Sequence, residues 1–138
     1  MRVSQDEGND DSRAGRPLAA RSRLRLELLR RDAIAYALVA RVARQRRVSL
    51  RDLLQGSRGN VSAALTRQLA MYAVHVLLGR TQEVIGVLFD RERTTVSYAV
   101  ALIEALRDED PAIDAEIALI EAEGWGLLGN STRTHHVA

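Results

Sequence analysis

Apolar side chains recur at steps of three and four residues along most of this 138-residue chain. Such spacing places them on one face of an α-helix, and we find neither the strict alternation typical of a strand nor an internal repeat. The sequence therefore predicts an all-α fold of five or six helices. The predicted helices cover about 23–46, 50–55, 63–78, 82–89, 94–107 and 111–123.

The boundaries of these helices are marked by residues that cap or stop a helix. Ser49, Ser62 and Thr81 each precede an apolar pattern, and their hydroxyls are expected to accept a hydrogen bond from a free amide of the first turn. Gly79 is expected to end the helix that precedes Thr81. Pro111 suits the first turn of the last helix, where no amide hydrogen is needed.

The apolar stripes also predict the core, because the apolar face of an amphipathic helix packs inward. The inward-facing positions that we expect are Leu24, Leu28, Ala35, Leu38, Val39, Val42, Leu65, Leu69, Tyr72, Ala73, Val76, Leu77, Val84, Ile85, Leu88, Val96, Ala99, Val100, Ile103 and Leu106.

The two ends of the chain lack such stripes. Residues 1–22 are rich in Asp, Asn, Gly, Ser and Arg, and their apolar surface is too small to offset the entropy lost on ordering. We expect a disordered tail over 1–22, one folded domain over 23–127 and a flexible tail over 128–138. Trp125 is expected to be a packing anchor near the end of the domain.

The composition excludes several kinds of site. The chain has no Cys, which rules out disulfides and thiolate-bound metal clusters, and its three His do not favour a metal site. His75 is expected to be a packed or half-exposed helix residue. No apolar run approaches the roughly 20 residues of a membrane span, and the polar N-terminus lacks the apolar core of a signal peptide. We expect a cytoplasmic protein without metal or other cofactor.

Charge is distributed unevenly along the chain, although its net value is only +2 and all twenty basic residues are Arg. Residues 23–47 carry eight Arg against two acids, a net charge of +6, whereas residues 101–138 carry two Arg against eight acids, a net charge of −6. Such asymmetry fits a nucleic-acid face with an acidic rear, and it also fits a solvated helix with many Arg. The acids of the last helix are expected to lie on the surface rather than in a catalytic pair.

The helices predicted on either side of Asp90 have the proportions of a helix-turn-helix, over about 81–107. In that motif the N-terminal turn of the second helix reaches base edges in the major groove. The residues at that position are polar, hydrogen-bonding or basic, and a plain capping role for the two threonines is the alternative. The candidate DNA-binding residues there are Arg91, Glu92, Arg93, Thr94, Thr95, Ser97 and Tyr98.

Three stretches make the pattern more specific. They are Thr66-Arg67-Gln68-Leu69-Ala70-Met71-Tyr72, Glu83-Val84-Ile85-Gly86-Val87-Leu88-Phe89 and Arg91-Glu92-Arg93-Thr94-Thr95-Val96-Ser97-Tyr98-Ala99. In this order and spacing the chain resembles, over about residues 33–123, the C-terminal DNA-binding domain of the bacterial replication initiator DnaA. The stretch from Val39 to Leu54 resembles the first helices of that domain.

The resemblance implies roles for individual residues. Arg67 and Gln68 fall where the family contacts backbone phosphate, and residues 92–95 fall where the family reads bases in the major groove. Arg58 is the one basic residue in the loop that reaches the minor groove in the family, although strict register puts Gly59 at the usual position.

The chain also departs from the family pattern around its recognition helix. Arg93 replaces the signature His, Glu92 replaces the signature Asp, and Asp90 stands in place of a glycine. Because Arg93 adds a strong donor for guanine or phosphate, the preferred DNA sequence is expected to differ from the usual DnaA box.

The DnaA family carries an ATPase domain, whose phosphate-binding motif requires Lys, and this chain has none. We therefore expect a stand-alone, non-enzymatic copy of the DNA-binding domain without nucleotide. Its expected function is sequence-specific binding of double-stranded DNA at DnaA-box-like sites, on the nucleoid, regulating replication initiation or transcription. The alternative is a protein-interaction module with only non-specific DNA affinity, in which helices 23–46 and 111–123 pair within a homodimer or with a replication or transcription protein.

Overall fold

A computed structural model describes residues 20–55 and 61–123, which form seven helices and no strand within those ranges. The all-α class is thereby confirmed. The loop residue Arg58, Trp125, the tail 128–138 and residues 1–19 of the expected N-terminal tail lie outside the described residues. The helices are α1 (20–30), α2 (Ala33–Arg46), α3 (Leu50–Gln55), α4 (Val61–Leu78), α5 (Gln82–Phe89), α6 (Arg93–Glu109) and α7 (111–123).

The first predicted helix, 23–46, is wrong as a single element, and residues 20–22, assigned to the tail, belong to α1. The helix breaks at Arg31 and Asp32, because the backbone of Asp32 is extended (φ −114°, ψ 96°) and its carboxylate accepts a hydrogen bond from the Ala35 amide at 3.1 Å. Asp32 therefore caps α2 and starts a new helix inside an apolar rhythm that continues across the break.

Arg80 holds this break in place from 48 residues further along the chain. Its Nε donates to Asp32 Oδ2 at 2.7 Å, and its Nη1 donates to the carbonyl of Leu78 at 2.9 Å. The same segment carries Gly79 at φ +69°, which confirms Gly79 as the end of α4. The start of α2 and the end of α4 are thus joined by one guanidinium.

Helix α4 is the centre of the domain and packs against α2, α3, α5 and α6. It is long and apolar enough to cross a membrane by length and composition, but 56% of that window is buried inside the protein, as in the core helix of a globular domain. Thr66, the one buried polar side chain in the described part of the chain, donates to the carbonyl of Ser62 at 2.6 Å. The core of α4 therefore leaves no hydroxyl unsatisfied.

Most predicted core positions are buried, and the exceptions have geometric reasons. Leu24 is exposed because the break at Asp32 changes the phase of α1, which buries Leu29 instead. Val76 and Val84 are exposed because each lies more than about 100° around its helix from the centre of the buried face. Ser62 is not an N-cap, since α4 already begins at Val61. Ser49 and Thr81 are confirmed as caps, because their hydroxyls accept from Asp52 and Val84 amides.

The acidic helix α7 docks onto the basic part of the same chain. Arg46 donates to both carboxylate oxygens of Glu116 at 2.7 and 3.1 Å, and Arg41 pairs with Glu123. Beneath these pairs, one apolar face of α7 is buried. Its buried residues are Ile113, Ile117 and Ile120.

Arg107 joins the end of α6 to the same helix. Its guanidinium donates to Asp114 at 2.8 Å, to the Tyr72 hydroxyl at 3.1 Å and to Glu121 at 2.9 Å. The hydrogen bonds to these three partners, of which the one to Asp114 has the largest effect, raise the pKa of Arg107 above its ordinary value. The positive charge of α2 and the negative charge near the C-terminus thus offset each other within one chain, and these acids are surface residues with cationic partners.

We predict that Asp32→Ala lowers the free energy of unfolding by about 2 kcal/mol, because the substitution removes an N-cap, which contributes about 0.5–2 kcal/mol, together with the partner of Arg80. Urea unfolding followed by circular dichroism measures the change. Asp108→Ala is the matched control, since Asp108 is an exposed acid in the last turn of α6, and we expect it to change stability by less than about 0.5 kcal/mol. Equal effects of the two variants would contradict the capping role.

The contribution of Asp32 depends on pH in a direction that its pKa determines. The hydrogen bond from Arg80, helped by the Ala35 and Ile34 amides, lowers the pKa of Asp32 although burial opposes this. The folded state thus favours the carboxylate, and its contribution is complete above the unfolded pKa of about 3.9 and is lost as the pH falls through the lower folded value. The stability difference between the parent and Asp32→Ala should shrink below about pH 4.

Candidate nucleic-acid interface

Helices α5 and α6 form a helix-turn-helix whose turn is Asp90–Glu92. Asp90 ends α5 in the left-handed region (φ 57°, ψ 50°) and donates its amide to the carbonyl of Val87 at 3.2 Å. The Arg91 amide donates to the carbonyl of Gly86 at 2.7 Å. Asp tolerates this left-handed conformation better than most residues with a side chain. Asp90 can therefore occupy the position at which the family pattern has glycine.

The turn lies so close to α5 that only glycine fits at position 86. A Cβ atom on Gly86 would lie 2.7 Å from the carbonyl oxygen of Arg91 and 3.6 Å from the amide nitrogen of Arg93. The oxygen belongs to the backbone and cannot rotate away. Gly86 therefore determines how closely the start of α6 approaches α5.

The first turn of α6 presents polar side chains to solvent. Glu92 is the N-cap residue with extended backbone, but its side chain makes no capping hydrogen bond. Arg93, Thr94 and Thr95 are exposed, while Val96 is fully buried beneath them. The following turn adds Tyr98, whose side chain is 64% exposed although it is aromatic. Thr94, Thr95 and Tyr98 share one outward face of the helix, because positions three and four residues apart lie on the same side.

Ser97 differs from the other candidates on α6. Its hydroxyl donates to Gln82 Oε1 on α5 and is only partly exposed. This bond links the two helices of the motif near the start of α5. The structure thus places Ser97 between the two helices and away from the outward face.

Two of the candidate DNA-binding arginines, Arg67 and Arg91, have their guanidiniums at a common location, the end of α3. Arg67 Nη1 donates to the carbonyl of Leu53 at 3.0 Å, and Arg91 Nη2 donates to the carbonyl of Leu54 at 2.9 Å. Both guanidiniums satisfy carbonyls that the end of a helix leaves without an intrahelical partner. Gln68, beside Arg67 on α4, is half-buried.

Burial and mutual repulsion disfavour the charges of these arginines. Burial, followed by the charge of Arg25, lowers the pKa of Arg67. Burial, followed by the charges of Arg67 and Arg25, lowers the pKa of Arg91 to about 10. Both groups remain cationic at neutral pH. The interface therefore contains concentrated positive charge that the protein itself compensates only in part.

Arg25 on α1 is the residue that the sequence did not reveal. Its Nε donates to Asp90 Oδ2 at 3.2 Å, and its Nη1 donates to the carbonyls of Leu54 and Gln55 at 3.1 and 3.0 Å. Arg25 is one of the eight arginines of residues 23–47, and no local pattern distinguishes it from the others. Only the fold brings it, across 65 residues, to the helix-turn-helix.

Other candidate chemistry finds structural roles. His75 is half-buried, and its Nδ1 lies 2.8 Å from the carbonyl oxygen of Arg80. Within residues 20–55 and 61–123 no group of three His, Cys, Asp or Glu side chains is placed to hold a metal ion. The candidate site therefore consists of the exposed first turn of α6 and the adjoining arginines.

Comparison with known proteins identifies the same region. Residues 36–103 match the family model described as the bacterial DnaA protein helix-turn-helix. The chain is 41% identical over 83 residues to the chromosomal replication initiator protein DnaA of Nitrobacter hamburgensis and to that of Rhodopseudomonas palustris. It is 45% identical over 60 residues to the DnaA of Sphingopyxis alaskensis.

The matches to the Nitrobacter and Rhodopseudomonas proteins cover 59% of this chain and 17% of each relative. The match to the Sphingopyxis protein covers 43% of this chain and 13% of that relative. The chain thus spans less than a fifth of the length of the curated relatives that it matches. The resemblance found in the sequence is confirmed, and the matched domain is not a catalytic one.

We predict that Gly86→Ala lowers the free energy of unfolding by about 1–3 kcal/mol, the usual range for forcing extra atoms into a packed site. The added methyl must displace the backbone of Arg91 and thus the start of α6. Thermal unfolding and amide exchange across residues 86–96 would measure both effects. Gly79→Ala is the control: its φ is strained, but nothing lies within 4 Å of the added Cβ. A larger loss for Gly79→Ala would contradict the close-contact explanation.

We predict that Glu92→Asp raises the free energy of unfolding by about 0.5–1 kcal/mol, because a shorter carboxylate can accept from the amides of the first turn of α6. Glu92→Gln keeps the longer side chain and should give no such gain. Chemical denaturation of the three proteins at neutral pH is the measurement. If Glu92→Asp is no more stable than Glu92→Gln, the cap of α6 is not limited by side-chain length.

Proposed function

Because this chain belongs, through residues 36–103, to the bacterial DnaA helix-turn-helix family, we propose that it binds double-stranded DNA in a sequence-specific manner. The observation that carries the proposal is the first turn of α6. There Arg93, Thr94 and Thr95 are exposed while Val96 anchors the helix in the core. A helix with side chains is about 10–12 Å wide and the major groove about 12 Å, so α6 can enter the groove by this turn.

Base recognition is assigned to the residues that project from this turn. The guanidinium of Arg93 suits the two acceptors of a guanine, and the methyl groups of Thr94 and Thr95 suit the methyl of a thymine. The carboxylate of Glu92 can accept from a cytosine amino group. Tyr98, one turn further along the same face, extends the contact toward the groove wall.

The phosphate contacts are assigned to residues around the turn. Arg91 precedes the recognition helix and Arg67 lies beside it, so both can bind the backbone that borders the groove, with Gln68 as a neutral donor. Arg58, outside the described residues, is the candidate for the minor groove. The hydrogen bond of Ser97 to Gln82 supports a role in holding α5 and α6 together, with DNA contact a secondary one.

The biological role that we propose is regulation of replication initiation or of transcription, by occupation of DnaA-box-like sites on the nucleoid in the cytoplasm. The relatives are initiators by name, and Arg93 in place of the signature His supports a preferred sequence that differs from theirs. Whether the chain assists or blocks initiation depends on where on the chromosome it binds.

The alternative, a protein-interaction module that pairs helices 23–46 and 111–123 between molecules, loses its main support. Arg46 and Arg41 of α2 are bound to Glu116 and Glu123 of α7 in the same chain. Charge complementarity between these helices is therefore used internally and needs no partner. Dimerisation through another surface is a separate question, which analytical ultracentrifugation would answer.

We predict that the protein binds a DnaA-box duplex more tightly than a scrambled duplex, and that both affinities fall steeply between about 50 and 200 mM salt, because phosphate contacts release counterions. Fluorescence anisotropy with labelled duplexes gives both quantities. Salt-insensitive binding, or equal affinity for both duplexes at every salt concentration, would contradict sequence-specific recognition of that site.

The base-reading residues are tested by Arg93→Ala combined with Thr95→Ala. Each base contact contributes about 1–3 kcal/mol of discrimination, so we expect the preference for the specific duplex to fall by at least about tenfold. Arg44→Ala is the matched control, because Arg44 is an exposed arginine on α2, away from the helix-turn-helix, and should leave the preference unchanged. Unchanged discrimination in the double variant would refute the roles assigned to Arg93 and Thr95.

A further inference from the structure

Three arginines from different parts of the chain converge on the end of α3. Arg25 comes from α1, Arg67 from α4 and Arg91 from the turn before α6, and together they donate to the three successive carbonyls of residues 53–55. The carboxyl end of a helix carries partial negative charge, which attracts these cations. This shared target brings three guanidiniums within interaction distance of one another beside the recognition helix.

The cluster has more positive charge than its surroundings compensate. Within residues 20–55 and 61–123, Asp90 is the one carboxylate that pairs with any of the three, through Arg25. Arg91 Nε is buried without a hydrogen-bond partner. Burial, followed by repulsion from neighbouring arginines, lowers the pKa of Arg67 and Arg91, although the charge of Asp90 opposes the shift for Arg91. A cluster of this kind gains from binding one further anion, since an anion relieves repulsion that the fold has already imposed.

Asp90 is the obstacle to such an anion. Its carboxylate is 40% exposed at the turn that leads into the recognition helix, so an unpaired Asp90 would repel a phosphate at this location. Arg25 removes that obstacle by its ion pair at 3.2 Å. The Arg25 side chain is itself only 13% exposed, so it acts on an anion through Asp90 and not by direct contact.

We propose that Arg67 and Arg91 together bind one backbone phosphate of the DNA duplex, and that Arg25 is the positioning residue that makes this possible by neutralising Asp90. The proposal rests on the DNA binding proposed above and adds a helix to it. Helix α1 ends before residue 36, where the match to the DnaA family begins. The DNA-binding surface thus depends on a segment outside that match, and Arg25 and Asp90 act as a pair.

The test is a charge-repair cycle on the full chain, measured by anisotropy with specific and scrambled duplexes over a range of salt. Arg25→Gln leaves Asp90 unpaired, so we expect the affinity for both duplexes to fall about tenfold while the ratio of the two affinities stays unchanged. The slope of log affinity against log salt concentration should become about one unit smaller, because one phosphate contact is lost. Arg25→Gln with Asp90→Asn removes both charges, and we expect binding to return to within about twofold of the parent.

A matched control separates this effect from general loss of charge. Arg30→Gln removes one arginine from the other side of α1, where Arg30 lies 5.4 Å from the centroid of the Tyr36 ring. We expect its DNA affinity to stay within about twofold of the parent. An equal loss in Arg30→Gln and Arg25→Gln would overturn the proposal, as would failure of Asp90→Asn to repair Arg25→Gln, because a purely structural contact is not restored by removing its second partner.

Two further readouts keep the test decisive. If circular dichroism shows that Arg25→Gln does not fold, the Asp90→Asn variant is measured alone. Because this variant removes the carboxylate and leaves Arg25 unpaired, we expect it to bind both duplexes several-fold more tightly, whereas Asp108→Asn should not change the affinity. Absence of tighter binding by Asp90→Asn would overturn the proposal. If the parent binds duplexes without steep salt dependence, the proposed function itself fails. If the parent binds as proposed and Arg25→Gln matches it, only the role of Arg25 is lost.

Discussion

The end of α3 is the point on which the arrangement of the helix-turn-helix depends. A six-residue helix leaves its last carbonyls without intrahelical partners, and buried carbonyls must be satisfied. Here guanidiniums from α1, α4 and the α5–α6 turn satisfy them, so one short helix fixes three elements relative to one another. The position of the recognition helix therefore follows from backbone hydrogen bonding as well as from its apolar contacts with the core.

Electrostatics within the chain explains how a protein of net charge +2 can offer a basic surface. The acids of α7 are paired with Arg41 and Arg46 of α2 and with Arg107 of α6. These pairs offset charge at one side of the domain and leave the end of α3 with three cations and one carboxylate. Charge counted along the sequence located the excess on residues 23–47, and the fold brings one of those arginines, Arg25, to the helix-turn-helix. Net charge alone thus says little about the local field.

Local signals in the sequence predicted local structure well. The hydroxyls of Ser49 and Thr81 and the positive φ of Gly79 act within three or four residues, so α3, α5 and the end of α4 could be read directly. The break at Asp32 was missed because an apolar rhythm continues through it and its second partner, Arg80, is 48 residues away. The outward face of α6 could also be predicted from the sequence. The contribution of Arg25 could not, since its ion pair with Asp90 exists only in the folded chain. The roles of the site residues toward DNA stay predictions.

The exclusive use of arginine fits the double task that the cluster performs. A guanidinium has five donors in a fixed fork, so Arg67 and Arg91 can each donate to a carbonyl of α3 and still direct other N–H groups toward a phosphate. Even where burial and neighbouring cations lower the pKa of Arg91 to about 10, the group stays charged at neutral pH. A lysine starts from a lower pKa and is more strongly hydrated, so the same environment would discharge it more readily. Arginine can therefore hold the fold together and remain a cation at the DNA surface.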